Sequence, residues 1–146
     1  MNQTLGMYKQ LGNEAFSKAI AQIAPYFATI RPAFRELRPG YAEVSFENRR
    51  EVHNHIGTVH AIALCNAAEL AAGTMTTVSI PDGAQWIPVG MNVQYLAKAR
   101  TDMRVTADGA GIDWNTSGNV EVPVDAFDTE GVKDFTARIT MNLRQA

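Results

Sequence analysis

Several features that would assign a function at once are scarce or missing in this sequence. Only one cysteine, Cys65, occurs among 146 residues, so no disulfide can form within the chain. The formal net charge of −2 excludes the basic surface that nucleic-acid binding requires. Neither a Walker loop nor a dinucleotide-binding glycine motif is present. We therefore expect no nucleotide hydrolysis, no redox cofactor and no nucleic-acid partner.

Targeting and membrane signals are equally scarce. Residues 1–12 lack a charged start followed by an apolar run, and the unpaired Cys65 suits a reducing compartment, so we expect a cytoplasmic protein. The stretch 58–80 is long enough to span a membrane, but it consists largely of small residues around a central glutamate. This composition favours a buried helix over a membrane span. The sequence predicts one soluble domain over residues 1–146 that binds no membrane.

Charge is scarcest between Thr58 and Pro81, where Glu69 is the one formally charged residue. An alanine-rich apolar helix is a costly place for a carboxylate, because burial removes the water that stabilises the charge. A polar, turn-like cluster at 53–60 directly precedes this helix and can supply polar partners. A carboxylate in such surroundings is more often functional than structural, although a solvated helix-edge carboxylate is the alternative.

Hydrophobic periodicity predicts the order helix, two strands, central helix, four strands. The predicted helices cover 11–23 and about 58–74, and the predicted strands cover 30–37, 42–46, 89–97, 103–107, 120–124 and 135–143. Pro25 should end the first helix, and Pro123 indicates that its strand has an edge or a bulge. Short turns between consecutive strands favour an antiparallel sheet. The chain is thus expected to be α+β, with a curved antiparallel sheet wrapped around a long central helix and an additional N-terminal helix.

This element order resembles the hotdog fold, and a local motif makes the resemblance more specific. The pattern Asn54-x-x-Gly57-x-x-His60, followed nine residues later by Glu69, is similar to that of hotdog acyl-CoA thioesterases of the phenylacetate-pathway type. The element order agrees over nearly the whole chain, whereas the motif covers only about residues 54–76. The resemblance implies an acyl-CoA thioesterase, with coenzyme A as part of the substrate and no separate cofactor.

The resemblance also implies roles for individual residues. Glu69 would be the nucleophile or general base, and the backbone N–H of Ala61 would polarise the thioester carbonyl. Asn54 and His60 would orient substrate or water, Gly57 would shape the loop, and Thr76 would supply a hydroxyl, often across a dimer interface. Each has a plainer alternative: a turn residue at 54 or 57, a helix-start residue at 60, or a helix-end cap at 76. The family usually has Gly-Gly after the histidine, whereas this chain has Ala61-Ile62.

Helix geometry adds an argument for a dimer that does not depend on the family. A helix N-terminus exposes unpaired N–H groups that can stabilise a developing oxyanion. Ala61 and Glu69 are eight residues apart, which places them on one face but about 12 Å apart along the helix. Such a separation favours a site shared between subunits, so we expect a homodimer or a dimer of dimers.

Three further sets of residues concern ligand binding, namely cations, apolar side chains and histidines. The cations Arg49, Arg50, Lys98 and Arg100 flank the predicted site in sequence and are candidates to bind the phosphates of coenzyme A, the alternative being solvated turns. An apolar tunnel is a possible role for Met75, Trp86, Met91 and Tyr95, which could equally be core residues. We expect no metal, because the three histidines of 53–60 lack metal-site spacing.

Two other functions remain open. His55 and Glu69 are fourteen residues apart, a spacing that resembles the His–Glu pair of hotdog 3-hydroxyacyl dehydratases or enoyl hydratases, but the Pro-Gly elements of that motif are missing. A non-catalytic acyl-CoA- or lipid-binding hotdog module is the third reading. Hydrolysis of a thioester distinguishes the first function from the third, and hydration of an enoyl-CoA distinguishes the second.

Overall fold

The computed structural model describes residues 2–146 and contains one six-stranded sheet and two long helices. The helices are α1 (Gln3–Ile23) and α2 (Ala61–Ser79), and short 3₁₀ helices cover Pro25–Ile30 and Arg50–Val52. The strands are β1 (Ala33–Arg38), β2 (Tyr41–Phe46), β3 (Gln85–Tyr95), β4 (Met103–Asp108), β5 (Gly118–Phe127) and β6 (Lys133–Arg144). This is the order of elements that the sequence predicts.

All strand pairs in the sheet are antiparallel, in the order β1-β2-β4-β5-β6-β3. The sheet wraps α2, of whose 19 residues 12 are buried. Four of these buried residues are alanines and one is Gly73, which allows the sheet to approach the helix closely. By length and composition α2 could cross a membrane, but 72% of its most apolar window is buried within the fold, as in the core helix of a soluble protein.

The N-terminal helix packs on the edge of the sheet that β1 forms. Phe16 is fully buried and its ring lies edge-to-face against Phe34 of β1, with 5.0 Å between ring centroids. The Ser17 hydroxyl accepts a hydrogen bond from the Phe34 N–H at 2.7 Å, so a polar contact fixes the same packing. Gly12 has non-helical dihedral angles (φ 78°, ψ 176°) and divides α1 into two segments. These contacts hold the second segment of α1 beside α2, where the candidate site lies.

Several predicted boundaries were wrong. The first helix begins at Gln3 rather than residue 11, because the Asn2 side chain accepts from the Thr4 and Leu5 N–H groups and caps it. Residues 30–32, expected in a strand, belong to a 3₁₀ helix and a connection to β1, where Arg31 is left-handed (φ 48°) and Pro32 has no N–H to donate.

The central helix is also displaced relative to the prediction, from about 58–74 to Ala61–Ser79. It begins later because 53–59 forms a closed turn, and it continues to Ser79, with the Thr76 and Ser79 hydroxyl groups donating to carbonyls one turn back. The third strand runs from 85 to 95 instead of 89 to 97. Pro123 was expected to mark an edge or a bulge in its strand. The pairing of β4 with β5 ends at Val124, so β5 has an edge at Pro123, as predicted.

A pair of carboxyl groups lies at the β5–β6 hairpin. Asp134 is 1% exposed and its Oδ2 has no hydrogen-bond partner among residues 2–146. Burial, with the neighbouring Asp128 carboxylate as the second cause, raises the pKa of Asp134 from 3.8 to about 6. The folded protein therefore binds a proton here more tightly than the unfolded chain does.

We expect the stability of the fold to decrease as the pH rises from about 4 to about 6, since a raised carboxyl pKa stabilises the folded state only while the group is protonated. Asp134→Asn should remove this dependence and make the protein more stable at pH 7.5. Urea unfolding from pH 4 to pH 7.5 measures the pH dependence of the free energy of unfolding. Asp82→Asn is the control, because Asp82 is exposed and its variant should follow the wild type. A wild-type slope retained in Asp134→Asn would contradict the assignment.

Candidate functional site

The loop before α2 is closed by the side chain of Asn54. Its Oδ1 accepts from the N–H groups of Ile56 and Thr58, both at 3.1 Å, and its Nδ2 donates to the Thr58 hydroxyl at 2.7 Å. Gly57 has φ +82°, a conformation that L residues with a side chain rarely adopt, so the turn requires a glycine. The structure thus places Asn54 and Gly57 where they shape the loop, and both side-chain functions of Asn54 are already occupied.

His60 is the N-cap residue of α2. Its Nδ1 accepts from the Ile62 N–H at 3.0 Å, and its own N–H donates to the Val52 carbonyl at 2.7 Å. The ring is therefore held by the start of the helix, which is the alternative role that the sequence offered for residue 60. Its Nε2 atom is left for another partner. Among residues 2–146, no acceptor is hydrogen-bonded to the Ala61 N–H. The helix thus offers one free donor directly after the cap.

Glu69 lies half-buried in the middle of α2. Within the described chain its carboxylate forms neither a hydrogen bond nor an ion pair. It lines a cleft of about 420 Å³ between α2 and the end of α1, which we call the Glu69 cleft. The other residues of the cleft are Thr4, Ile20, Ile23, Ala24, Phe27, Leu70, Gly73, Thr74, Thr77 and Trp86. The carboxylate is therefore free to meet a ligand in mostly apolar surroundings.

A second depression, of about 360 Å³, lies at the start of the same helix, and we call it the helix-start depression. It is lined by Tyr26, Thr29, Ile30, Glu51, Val52, His53, His60, Ile62, Ala63 and Asn66. The 3₁₀ helix 25–30 borders both cavities, through Tyr26 on one side and Phe27 on the other. The structure of one chain thus separates His60 from Glu69, with Asn66 between them in sequence.

Thr76 is placed differently from what the resemblance implies. Its side chain is fully buried and its hydroxyl donates to the Ala72 carbonyl at 2.8 Å. Thr74 and Thr77, not Thr76, line the Glu69 cleft. Spacing alone could not separate these three threonines, because their accessibility depends on the strands that cover the helix.

The four candidate cations lie near the start of α2 in two segments, 49–50 and 98–100. The Val59 N–H donates to the Ala99 carbonyl at 2.8 Å, which brings the segment with Lys98 and Arg100 against the loop. Both of these side chains are exposed, as is that of Arg50. Arg49 is different, since it bonds Glu51 at 3.0 Å and donates to the Thr29 carbonyl. Three of the four cations are therefore available to an anionic ligand.

The histidines show no metal site. Among residues 2–146, no three His, Cys, Asp or Glu side chains are placed to hold a metal ion. His53 contacts the Asn48 side-chain oxygen at 2.6 Å, and His55 is exposed and lines neither cavity of α2. His55 and Glu69 therefore do not face each other within one chain, as the dehydratase reading would need.

Sequence reasoning predicted neither the contact of Tyr95 with Cys65 nor the buried side-chain oxygen of Asn66. The Tyr95 hydroxyl lies 3.9 Å from the Cys65 sulfur, and burial raises the pKa of that thiol, so Cys65 is no activated nucleophile. Asn66 is 7% exposed, and its Oδ1 is buried without a partner among the described residues. A polar residue at 66 in the apolar stretch before Glu69 was the signal in the sequence, but only the fold shows that its side-chain oxygen lacks a donor.

Comparison with known proteins identifies the family of the chain and solved structures with a similar fold. Residues 12–143 match the family described as Domain of unknown function (DUF4442). The chain belongs to this family. A crystal structure from a structural-genomics programme is 62% identical, with a TM-score of 0.91 and coverage of 99% of this chain and 98% of that one. A search of curated protein sequences gives no match.

More distant solved structures share the architecture. A protein of unknown function and probable thioesterase from Pseudomonas aeruginosa is 20% identical, with a TM-score of 0.76 and coverage of 86% of this chain and 91% of that one. A thioesterase family protein from Silicibacter pomeroyi is 17% identical, with a TM-score of 0.74 and coverage of 89% and 96%. These similarities confirm the predicted hotdog fold.

Replacing His60 tests the capping geometry. We expect His60→Ala to lower the free energy of unfolding by about 0.5–2 kcal/mol, since the Ile62 N–H loses its acceptor. His60→Asn should recover most of this loss, because asparagine is a preferred N-cap residue. Urea unfolding at pH 7.5 measures both, and an alanine variant as stable as the wild type would show that the cap contributes nothing.

Proposed function

We propose that the protein is an acyl-CoA thioesterase in which Glu69 promotes attack on the thioester carbonyl. The observation that supports this most is the unpaired, half-buried Glu69 carboxylate in the Glu69 cleft. A carboxylate kept free of partners in apolar surroundings is suited to take a proton or attack a carbonyl. That several fold neighbours are named thioesterases agrees with this proposal.

The reaction replaces the C–S bond of the thioester by a C–O bond. In the general-base route, Glu69 takes a proton from water as its oxygen attacks the carbonyl carbon, and the proton then goes to the departing thiolate. In the nucleophilic route, Glu69 itself attacks the carbonyl carbon and expels the CoA thiolate; water then cleaves the resulting anhydride, which regenerates Glu69 and releases the acid, and a proton of that water goes to the thiolate. Both routes place negative charge on the carbonyl oxygen, and a free N–H at a helix start stabilises it. Ala61 supplies such a donor.

A second copy of the chain would complete the site. Strand β3 forms an edge of the sheet and exposes large apolar side chains, with Ile87 60%, Val89 56% and Tyr95 57% exposed. An exposed apolar edge strand is a ready pairing surface. The Tyr95–Cys65 contact continues this surface onto α2, close to the exposed Ile62. Pairing through β3 would therefore bring the start of one α2 toward the other copy, so we propose a homodimer or a dimer of dimers.

Coenzyme A would bind at the loop before α2, in a cytoplasmic enzyme. Exposed Arg50, Lys98 and Arg100 lie on segments joined to this loop, and cations of this kind form charge-assisted hydrogen bonds with phosphate. The same region lies beside the Ala61 N–H, so bound phosphates and a polarised carbonyl would share one end of the helix. Arg49 acts in this account as a structural anchor for the 3₁₀ helix 25–30, through its bond to Thr29.

Replacing Glu69 tests the role of the carboxylate. We expect Glu69→Gln to lower kcat by about 10²-fold or more on acyl-CoA substrates, because the amide can neither accept the proton nor attack. The measurement is release of free CoA thiol from short, medium, long and aromatic acyl-CoAs. Glu14→Gln is the control, since Glu14 is exposed on α1. Equal rates in wild type and Glu69→Gln would overturn the mechanism, and hydration of enoyl-CoA would favour the dehydratase.

Replacing Ala61 by proline tests the oxyanion donor. Proline has no N–H and is well tolerated at the first helical position, and His60 already has the extended conformation (φ −63°, ψ 138°) that precedes proline. We expect Ala61→Pro to keep its stability and to lose about 10²–10³-fold in kcat. Ala61→Ser, which retains the N–H, is the matched control. Full activity in the folded proline variant would show that this donor takes no part.

A further inference from the structure

We propose that the Glu69 cleft is the acyl-binding pocket, built within one chain by α1 and α2, and that Trp86 packed on Gly73 closes its far end and limits acyl chain length. This inference rests on the proposed function and extends it to the substrate class, which is an apolar acyl chain of limited length. It also gives the N-terminal helix α1 a role in binding.

The lining of the cleft fits an acyl chain better than a polar ligand. One wall consists of Ile20, Ile23 and Phe27 from the end of α1 and the turn after it, and Leu70 of α2 faces them. Ligand pockets are typically apolar clefts of about 300–1,000 Å³ with a few polar groups, and about 420 Å³ lies within that range. Glu69 is the one ionisable residue of this lining, so a thioester carbonyl bound beside it would leave the acyl chain in apolar surroundings.

The far end of the cleft is fixed by a close contact between β3 and α2. A Cβ added to Gly73 would lie 2.9 Å from the Cη2 atom of Trp86, closer than real Cβ contacts. The ring is held in place, because its Nε1 donates to the Thr77 hydroxyl at 3.0 Å. Trp86 therefore rests directly on the helix backbone, one turn beyond Glu69, and acts as a specificity-determining wall.

The exposed position of Ile23 supports a ligand role for the opposite wall. Ile23 is 70% exposed although it ends the helix that covers the cleft. An acyl chain in the cleft would cover apolar surface that the chain itself leaves in water. The kink at Gly12 lets the second segment of α1 take its own direction along α2.

The first experiment measures chain-length preference without removing the catalytic groups. We expect Gly73→Ala to push on Trp86 and narrow the pocket. The value of kcat/KM should then fall by about 10-fold or more for the longest acyl-CoA that the wild type accepts, since one methylene changes discrimination by about 10–200-fold. For the shortest acyl-CoA it should fall by less than about 2-fold. Trp86→Phe should shift the preference toward longer chains. Trp114→Phe is the matched control, because Trp114 lies against Gly109 outside the cleft.

The second experiment detects binding without hydrolysis. The chain has two tryptophans, so Trp114→Phe leaves Trp86 as the sole tryptophan fluorophore. We expect its fluorescence to change saturably when straight-chain S-alkyl-CoA thioethers are added, in the presence or absence of the Glu69→Gln substitution. In Gly73→Ala/Trp114→Phe the Kd should rise by about 10-fold for long chains, in line with the loss expected for one methylene.

The two experiments separate the proposals. Fluorescence saturation without hydrolysis by the wild type would overturn the thioesterase and support the acyl pocket. Hydrolysis with an unchanged chain-length profile in both Gly73→Ala and Trp86→Phe would keep the thioesterase and overturn the pocket. Neither hydrolysis nor a fluorescence change would overturn both.

Discussion

Burial of α2 by the sheet is the constraint on which the rest of the structure depends. A helix with 12 of 19 residues buried can carry few polar groups, and alanine and glycine on its surface let strands and α1 approach closely. Any charge that remains on such a helix must find a partner or face a cavity. Glu69 has no hydrogen-bond or ion-pair partner among residues 2–146 and lines a cavity, so the packing of the core and the chemistry of the site follow from the same helix.

The unpaired N–H groups at the N-terminus of α2 are a second constraint on the site. Helix ends leave N–H groups unpaired, and this one satisfies the second N–H with the His60 ring and leaves that of Ala61 free. The loop 53–59 is closed by its own hydrogen bonds, so it holds the helix start rigidly without using the free donor. The site thus consists of two parts on one helix, a donor at its start and a carboxylate more than two turns later.

The features of the fold that depend on hydrophobic periodicity and composition could be predicted from the sequence. Alternating apolar residues were enough for the element order, and the hotdog fold followed from the resemblance of that order and of the motif from Asn54 to Glu69 to a known family. Helix ends were predicted less well, because the Asn2 cap of α1 and the closed turn before α2 depend on side-chain hydrogen bonds that propensity does not reveal. The role of His60 as a cap and the burial of Thr76 depend on local geometry and on which strands cover the helix. The Glu69 cleft could not be predicted, since it joins residues from α1, α2 and β3.

A mixed-subunit experiment tests most directly the claim that two copies share a thioesterase site. Ala61→Pro and Glu69→Gln subunits would each be inactive alone. If the donor of one copy serves the carboxylate of the other, every mixed dimer contains one intact site, and unfolding and refolding an equal mixture should restore about a quarter of wild-type CoA release. A mixture as inactive as its components, with mixed dimers demonstrated by mass spectrometry, would contradict the account.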